Sequence, residues 1–320
     1  MIKLFSTLGL ALLAGTALAQ AYPNRPIKII TGFSAGSGPD AVLRVVSEKM
    51  SKDLGVAVLV DNRPGGNGFI ALEAGKKAAP DGYTFVQMDD AQMSLQPYLY
   101  KNIPYNVHKD FDPVGTFFKT YFFVTTSSSS PWKNVADLIA AGKAKKDGLT
   151  YGSWFVGSPG HIGGAMLESS TGLAMTHVPF KETPMVYQNV ASGEVDWAFG
   201  TAGSAGPLYR AKKLKFLAIA SPKRLPAFAD IPTVAEAGGP AGFELGAWVA
   251  VQAPKGTPTD ASSKFAASLN KALADPEVKE KFTTFGFEPF VSAPADISRM
   301  IAADDKRYGE FVKKAKISTE

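Results

Sequence analysis

The 320-residue chain contains no cysteine. Disulfides, thiolate metal sites, a cysteine nucleophile and a lipid-modified N-terminal cysteine are all excluded. Histidine is almost as scarce, with only His108, His161 and His177 in the chain. None of the three lies in a His-x-x-Glu pattern, so no metal-binding helix is visible and no metal or cofactor is expected. A Gly-x-Ser-x-Gly elbow is also missing, because Ser158 and Ser204 both lack the glycine two positions before them. Charge of one sign is not in excess: 34 Lys and Arg stand against 29 Asp and Glu, for a formal charge of +5. The lysine clusters at Lys143, Lys145 and Lys146, at Lys212, Lys213 and Lys215, and at Lys313, Lys314 and Lys316 are dispersed and carry no interleaved aromatic motif. A nucleic-acid partner is therefore not expected.

Long hydrophobic runs are absent except at the N-terminus. There Lys3 precedes the apolar stretch Leu8 to Leu13, followed by Ala17-Leu18-Ala19, the small-x-small pattern that a signal peptidase cuts. The run is shorter than the ~20 apolar residues of a membrane span. The expectation is a leader over residues 1–19 and a mature chain free in the periplasm, without a lipid anchor.

What is present in quantity is apolar residue, at 45%, enough for one large or two medium cores. Ile27 to Phe33 reads as a buried strand, and Val42, Leu43, Val45, Val46, Met50 and Leu54 form one wide face of a helix. Val56 to Val60 and Tyr83 to Met88 follow as strands around a helical Ile70 to Ala79, which predicts a parallel sheet covered on both faces. A second α/β unit follows, with short strands at Thr150, Thr176, Asp196 and Lys215. The polar run Thr125 to Ser130 is the candidate crossing between the units, and Phe243 to Val251 the return. Three helices, each with proline in the first turn, close the chain from Pro258 to Lys314. The expected division is residues 20–125 with 246–320 as one domain and 126–245 as the other, with a ligand cleft between them.

Three strand-to-helix loops carry the candidate chemistry. Gly36-Ser37-Gly38-Pro39-Asp40-Ala41 fits the dinucleotide fingerprint, with Asp61 ending the next strand. However, the glycines start late after the strand, Pro39 stiffens the turn, and an exported chain meets no cytoplasmic dinucleotide. The loop still presents backbone N–H groups at a helix start, where an anion is favoured; a plain tight turn capped by Asp40 is the alternative. Gly157-Ser158-Pro159-Gly160-His161 is the second such loop, with Ser158 as N-cap. In it, His161 either orients Ser158 and touches a ligand or is simply structural. The third is Gly200 to Pro207, including Thr201 and Ala202. Asp89 and Asp90 point to opposite sides of a strand end, as a ligand-facing group or as a helix cap. Phe33, Met88, Trp154, Phe155 and Trp248 lie near these loops and could sandwich an aromatic ring. One turn of helix also allows Ser158 and His161 to act together as an exported hydrolase.

Ordered motifs along the chain, namely Tyr22-Pro-Asn-Arg-Pro-Ile-Lys-Ile-Ile, Asp61-Asn-Arg-Pro-Gly-Gly-Asn-Gly, Ala79-Pro-Asp-Gly-Tyr-Thr, Gly157-Ser-Pro-Gly-His, His177-Val-Pro-Phe-Lys, Gly193-Glu-Val-Asp, Leu217-Ala-Ile-Ala and Asp230-Ile-Pro-Thr-Val-Ala-Glu-Ala-Gly, resemble the Bug (TctC-like) solute-binding proteins of tripartite tricarboxylate transporters. The resemblance implies a two-domain α/β periplasmic binding fold of the type II-like, Venus flytrap kind. It implies a monomer that closes on a small carboxylate, through backbone amides and hydroxyls, and delivers it to a membrane permease rather than catalysing a reaction. Carried over by motif, the first-loop contacts would be Phe33, Ser34, Ala35 and Ser37, with Ser158, His161, Thr201 and Ala202 on the second domain; Met88, Asp89 and Trp154 are added from local composition. Two departures leave the ligand open. Ser34 and Ser37 stand where the family has proline or glycine, and Glu182 replaces a glycine. The aromatic residues near the loops lean towards an aromatic mono- or dicarboxylate such as terephthalate.

Overall fold

The computed structural model describes residues 22–315; the expected leader lies outside the described residues. Among the described residues the apolar runs become eleven strands in two sheets. Ile27–Thr31 (β1), Val58–Asn62 (β2), Thr84–Asp89 (β3) and Phe111–Tyr121 (β4) belong to the first sheet. Phe123–Ser127 (β5), Leu149–Ser153 (β6), Met175–Pro179 (β7), Trp197–Gly200 (β8) and Leu214–Ile219 (β9) form the second, and Gly246–Pro254 (β10) and Phe287–Pro289 (β11) return to the first. The orders are β11-β4-β10-β3-β1-β2 and β7-β6-β8-β5-β9.

The expectation of a parallel sheet is corrected in part. β2, β1 and β3 are parallel, as are β7, β6 and β8, but β10 runs antiparallel to β3 and β4, and β5 antiparallel to β8 and β9. The reason is connectivity. β5 and β10 begin where the chain has just arrived from the other lobe, so they run away from the lobe boundary while β1, β3, β6 and β8 run towards it. The C-terminal ends of those four strands, where open α/β sheets bind ligands, thus share one gap.

The first crossing also lies elsewhere than expected. The chain changes sheets at Phe122, and Thr125 to Ser127 are the buried end of β5. Their hydroxyls are satisfied by backbone carbonyls of Phe123, Asp196 and Ala191 at 3.1, 2.8 and 3.1 Å. The two crossing strands touch: Phe122 N–H donates to the Leu245 carbonyl (3.1 Å), Leu245 N–H to that of Ala220 (2.9 Å), and Ala220 N–H to that of Phe122 (2.8 Å). This closed ring of three backbone hydrogen bonds holds both connections side by side.

Each lobe has its own core. Ile27, Ile29, Phe85, Phe117, Phe118 and Phe265 are buried in the first, with Leu43 and Met50 from the helix Gly38–Leu54; Tyr151, Trp197, Phe199 and Leu217 are buried in the second. A smaller cluster spans the lobes, joining Leu95, Leu99 and Val312 to Ile162. Among the described residues no helix is long and apolar enough to cross a membrane.

Candidate functional site

The first loop leaves β1 and enters the helix Gly38–Leu54 with Gly36 at φ 78° and Ser37 as an extended N-cap. Asp40, 1% exposed, pins it by accepting from Gly36 N–H (2.8 Å), Arg44 Nε (3.0 Å) and Asn62 Nδ2 (2.8 Å). Burial pushes its carboxyl up, but these bonds, Arg44 foremost, outweigh that and hold it below the usual range. Asp40 is thus a brace for the turn, not the N-cap. The Ser37 hydroxyl is buried without a partner among the described residues. Ser34 and Ala35 are exposed, and Phe33 packs partly on the core while its carbonyl accepts from Asn62 (3.0 Å).

The second loop repeats this geometry. Gly157 has φ 85°, Ser158 is an extended N-cap, and the helix Pro159–Thr171 follows. Here the pin is His161, whose Nδ1 accepts from Gly157 N–H at 3.0 Å. A ring nitrogen that accepts carries no proton, so the neutral imidazole holds its proton on Nε2. Burial lowers the His161 pKa to about 4. His161 stacks on His177 at 4.0 Å, whose pKa burial and the neighbouring imidazole lower to about 3. Ser158 Oγ accepts from His161 N–H (3.3 Å). No hydrogen bond joins the Ser158 hydroxyl to the His161 ring, so the dyad of the hydrolase alternative is not formed. Phe155 sits at φ 103° just upstream, a strained conformation for a side-chain-bearing residue.

In the third loop Thr201 and Ser204 bond reciprocally: each backbone N–H donates to the other's hydroxyl at 3.1 Å, and Ser204 Oγ donates to Tyr187 Oη (3.0 Å). Ala202 is buried against the other lobe, 2.8 Å from where a Cβ on Gly286 would lie. Gly203 meets Gly38 in the same way, since a Cβ on Gly203 would sit 3.3 Å from Gly38 Cα and 3.1 Å from Phe285 Cδ1. Behind the second loop, the Tyr100 hydroxyl donates to the Val156 carbonyl (2.7 Å) and accepts from Asn67 Nδ2 (2.8 Å). The lobes therefore touch at the third loop and behind the second.

Phe33, Ser34, Ala35, Ser37, Ser158, His161, Thr201 and Ala202 lie on or just after the three loops that follow β1, β6 and β8, with Ala202 buried in the second lobe's core. Met88 is corrected to core: it is 0% exposed among Leu72, Met93 and Tyr105, because β3 is a central strand covered on both faces. Asp89 is a helix cap, its Oδ1 accepting from Gln92 N–H (2.7 Å) while Gln92 Oε1 accepts from Asp89 N–H (3.1 Å). Trp154 is half-buried, stacked at 5.9 Å on Phe122 and against Gly160, and Trp248 is a buried residue whose indole donates to Asp304 (2.8 Å). Sequence reasoning missed Asn67, Tyr100 and the Val156 carbonyl. Asn67 lies in the quoted Gly-Gly-Asn-Gly motif, but Tyr100 carries no local signal. Among the described residues no group of three or more acids and histidines is placed to hold a metal.

Two α/β lobes joined by paired crossings, with strand ends and helix starts facing one gap, define a periplasmic binding fold. The profile described as the tripartite tricarboxylate transporter family receptor matches residues 42–317, and the chain belongs to this family. Solved structures agree. Periplasmic binding protein BugD is 30% identical with TM-score 0.84, covering 93% of this chain and 100% of that one. Rpa4515 of R. palustris, solved with adipate, is 29% identical with TM-score 0.87 over 92% and 99%. MatC of Rhodopseudomonas palustris, solved with bound malate, is 27% identical with TM-score 0.80 over 91% and 100%.

Proposed function

We propose that the protein captures a small dicarboxylate between its lobes in the periplasm and delivers it to the permease of a tripartite tricarboxylate transporter. The domains are residues 22–122 with 246–315, and 123–245. The observation that carries the reading is the pair of glycine–serine helix starts, one from each lobe, each following the C-terminal end of a parallel strand. Adipate and malate in two relatives support a dicarboxylate. One helix start is worth ~0.3–1 kcal/mol to an anion, up to ~2 when partly buried, whereas micromolar affinity needs about −8 kcal/mol. Amides, hydroxyls and apolar burial must therefore act together. A ligand held from both lobes binds the closed state better than the open one, and that difference drives closure.

With Met88 and Trp248 in the core, the aromatic wall shrinks to Phe33, Trp154 and Phe155. Terephthalate is thus one candidate beside aliphatic dicarboxylates. Calorimetry with adipate, malate and terephthalate, paired with solution scattering, tests the reading: at least one binds, shrinks the radius of gyration and is recovered chemically intact. Binding by none of them, or turnover of the bound compound, overturns it.

A further inference from the structure

One peptide group is bonded from both lobes. Its carbonyl, on Val156, accepts from Tyr100 of the first lobe at 2.7 Å; its amide, on Gly157, donates to His161 Nδ1 at 3.0 Å. Behind Tyr100, the Asn67 amide donates to the phenol oxygen at 2.8 Å. The four groups form a continuous relay of donors from the first lobe to the imidazole of the second.

We propose that Tyr100, backed by Asn67, is the positioning residue of the carboxylate site: on closure it fixes the Val156–Gly157 peptide and so holds His161 neutral, with its Nε2–H as the donor for a ligand carboxylate. This rests on the carboxylate reading above. Three observations support it. A donor on a peptide carbonyl polarises the amide of the same peptide, strengthening its bond to Nδ1. His161 is 9% exposed, and its Nε2 makes no hydrogen bond among the described residues without being one of the buried unpartnered atoms; the N–H is thus open to an incoming acceptor, and a carboxylate oxygen makes a charge-assisted bond to it. The peptide itself is tightly framed. A Cβ on Gly157 would collide with Leu99, and Phe155 at φ 103° fixes the chain two residues earlier. The remaining neighbour, His177, cannot take over the role, because its Nε2 faces Ser153 Oγ at 2.7 Å, whose proton goes to the Phe155 carbonyl (2.9 Å).

The test is Tyr100→Phe, which keeps the ring and removes one hydroxyl. Affinity for adipate, malate and terephthalate is measured by calorimetry, and the His161 ring nitrogens are read by 15N NMR, assigned with His161→Gln; three histidines in all keep the spectrum simple. In the wild type with ligand, Nδ1 shows the signal of an unprotonated, hydrogen-bonded nitrogen and Nε2 that of a protonated one. In Tyr100→Phe the Nδ1 signal moves towards the free-imidazole average and affinity falls about five- to tenfold, the worth of one net hydrogen bond. Asn67→Gly moves both readouts the same way by less and serves if Tyr100→Phe does not fold; the neighbouring exposed Tyr98→Phe moves neither. Identical ring signals and affinity in wild type and Tyr100→Phe overturn the relay. A wild type that binds none of the three compounds overturns the functional reading instead, while the ring signals of the two proteins still decide the relay.

Discussion

The two lobes enter their cleft helices with the same device, built from different chemistry. Gly36-Ser37-Gly38-Pro39-Asp40 and Gly157-Ser158-Pro159-Gly160-His161 both place a glycine at positive φ, a serine N-cap and, at the third helical position, a side chain that accepts the glycine's N–H. In the first lobe the acceptor is an ionised carboxylate held by Arg44 and Asn62, all within the lobe. In the second it is a neutral imidazole, and the peptide that it grips is also gripped by Tyr100 from across the gap. The first loop is therefore preset by its own lobe, whereas the second is completed by closure. An anion site benefits from this division: a fixed charge beside one loop is screened by Arg44, and the loop that assembles last adds no charge that would repel a carboxylate.

The largest effect comes from keeping the loops apart. Gly203→Val places a branched side chain where a Cβ alone would lie 3.3 Å from Gly38 Cα and 3.1 Å from Phe285 Cδ1. Overpacking of this kind costs roughly 1–3 kcal/mol, and here it falls on the closed state alone. Affinity for adipate is expected to drop about 100-fold, with the ligand-induced shrinkage lost in solution scattering. Unchanged affinity would mean that the loops need not meet.

Acid separates the lobes next. His161 and His177 titrate near 6.5 when unfolded but only at about 4 and 3 when folded, because burial disfavours the charged rings. Between those limits the unfolded chain binds more protons, so stability of the second lobe falls as pH drops from 6.5 towards 4. In the first lobe the signs differ. Asp40, held below its ordinary value, keeps its contribution until pH falls through the still lower folded pKa. Burial raises Asp89 to about 6 and, with Asp89 and Asp304 nearby, Asp90 to about 8, so these acids are least unfavourable at low pH. Hydrogen exchange at pH 7 and pH 4.5 should show the Ser153–His161 segment losing protection, by roughly 2 kcal/mol for each buried histidine, while Gly36 to Asp40 does not. Parallel loss in both loops would break the contrast.

Much of this arrangement was legible beforehand. The β-branched runs located β1, β3 and β6 to within a few residues, and both glycine–serine loops stood out by their turn chemistry. Strand direction was not legible, because a buried antiparallel strand such as β10 has the same apolar pattern as a parallel one. The first crossing misled for a different reason: Thr125 to Ser127 look like a polar linker, but their hydroxyls bond backbone carbonyls inside the sheet, whereas the true crossing, Phe122, is hidden in an aromatic run. Met88 and Trp248 were near the loops in sequence but buried within their strands. Tyr100 reaches Val156 only because of how the lobes face each other, a relation no local pattern records.

The finest difference between the loops is in the two serines, which share position and backbone conformation. Ser158 Oγ accepts the N–H of the third helical residue at 3.3 Å, whereas Ser37 Oγ has no partner among the described residues. Ser158→Ala should therefore cost about 1 kcal/mol in denaturant unfolding, the usual worth of an N-cap, and Ser37→Ala close to nothing. With adipate the order should reverse in sensitivity. A buried hydroxyl that bonds nothing within its own lobe is free to donate to the ligand, so Ser37→Ala should weaken binding without weakening the fold. Equal costs for the two variants in unfolding would show that the loops are capped alike; intact binding in Ser37→Ala would remove that hydroxyl from the site.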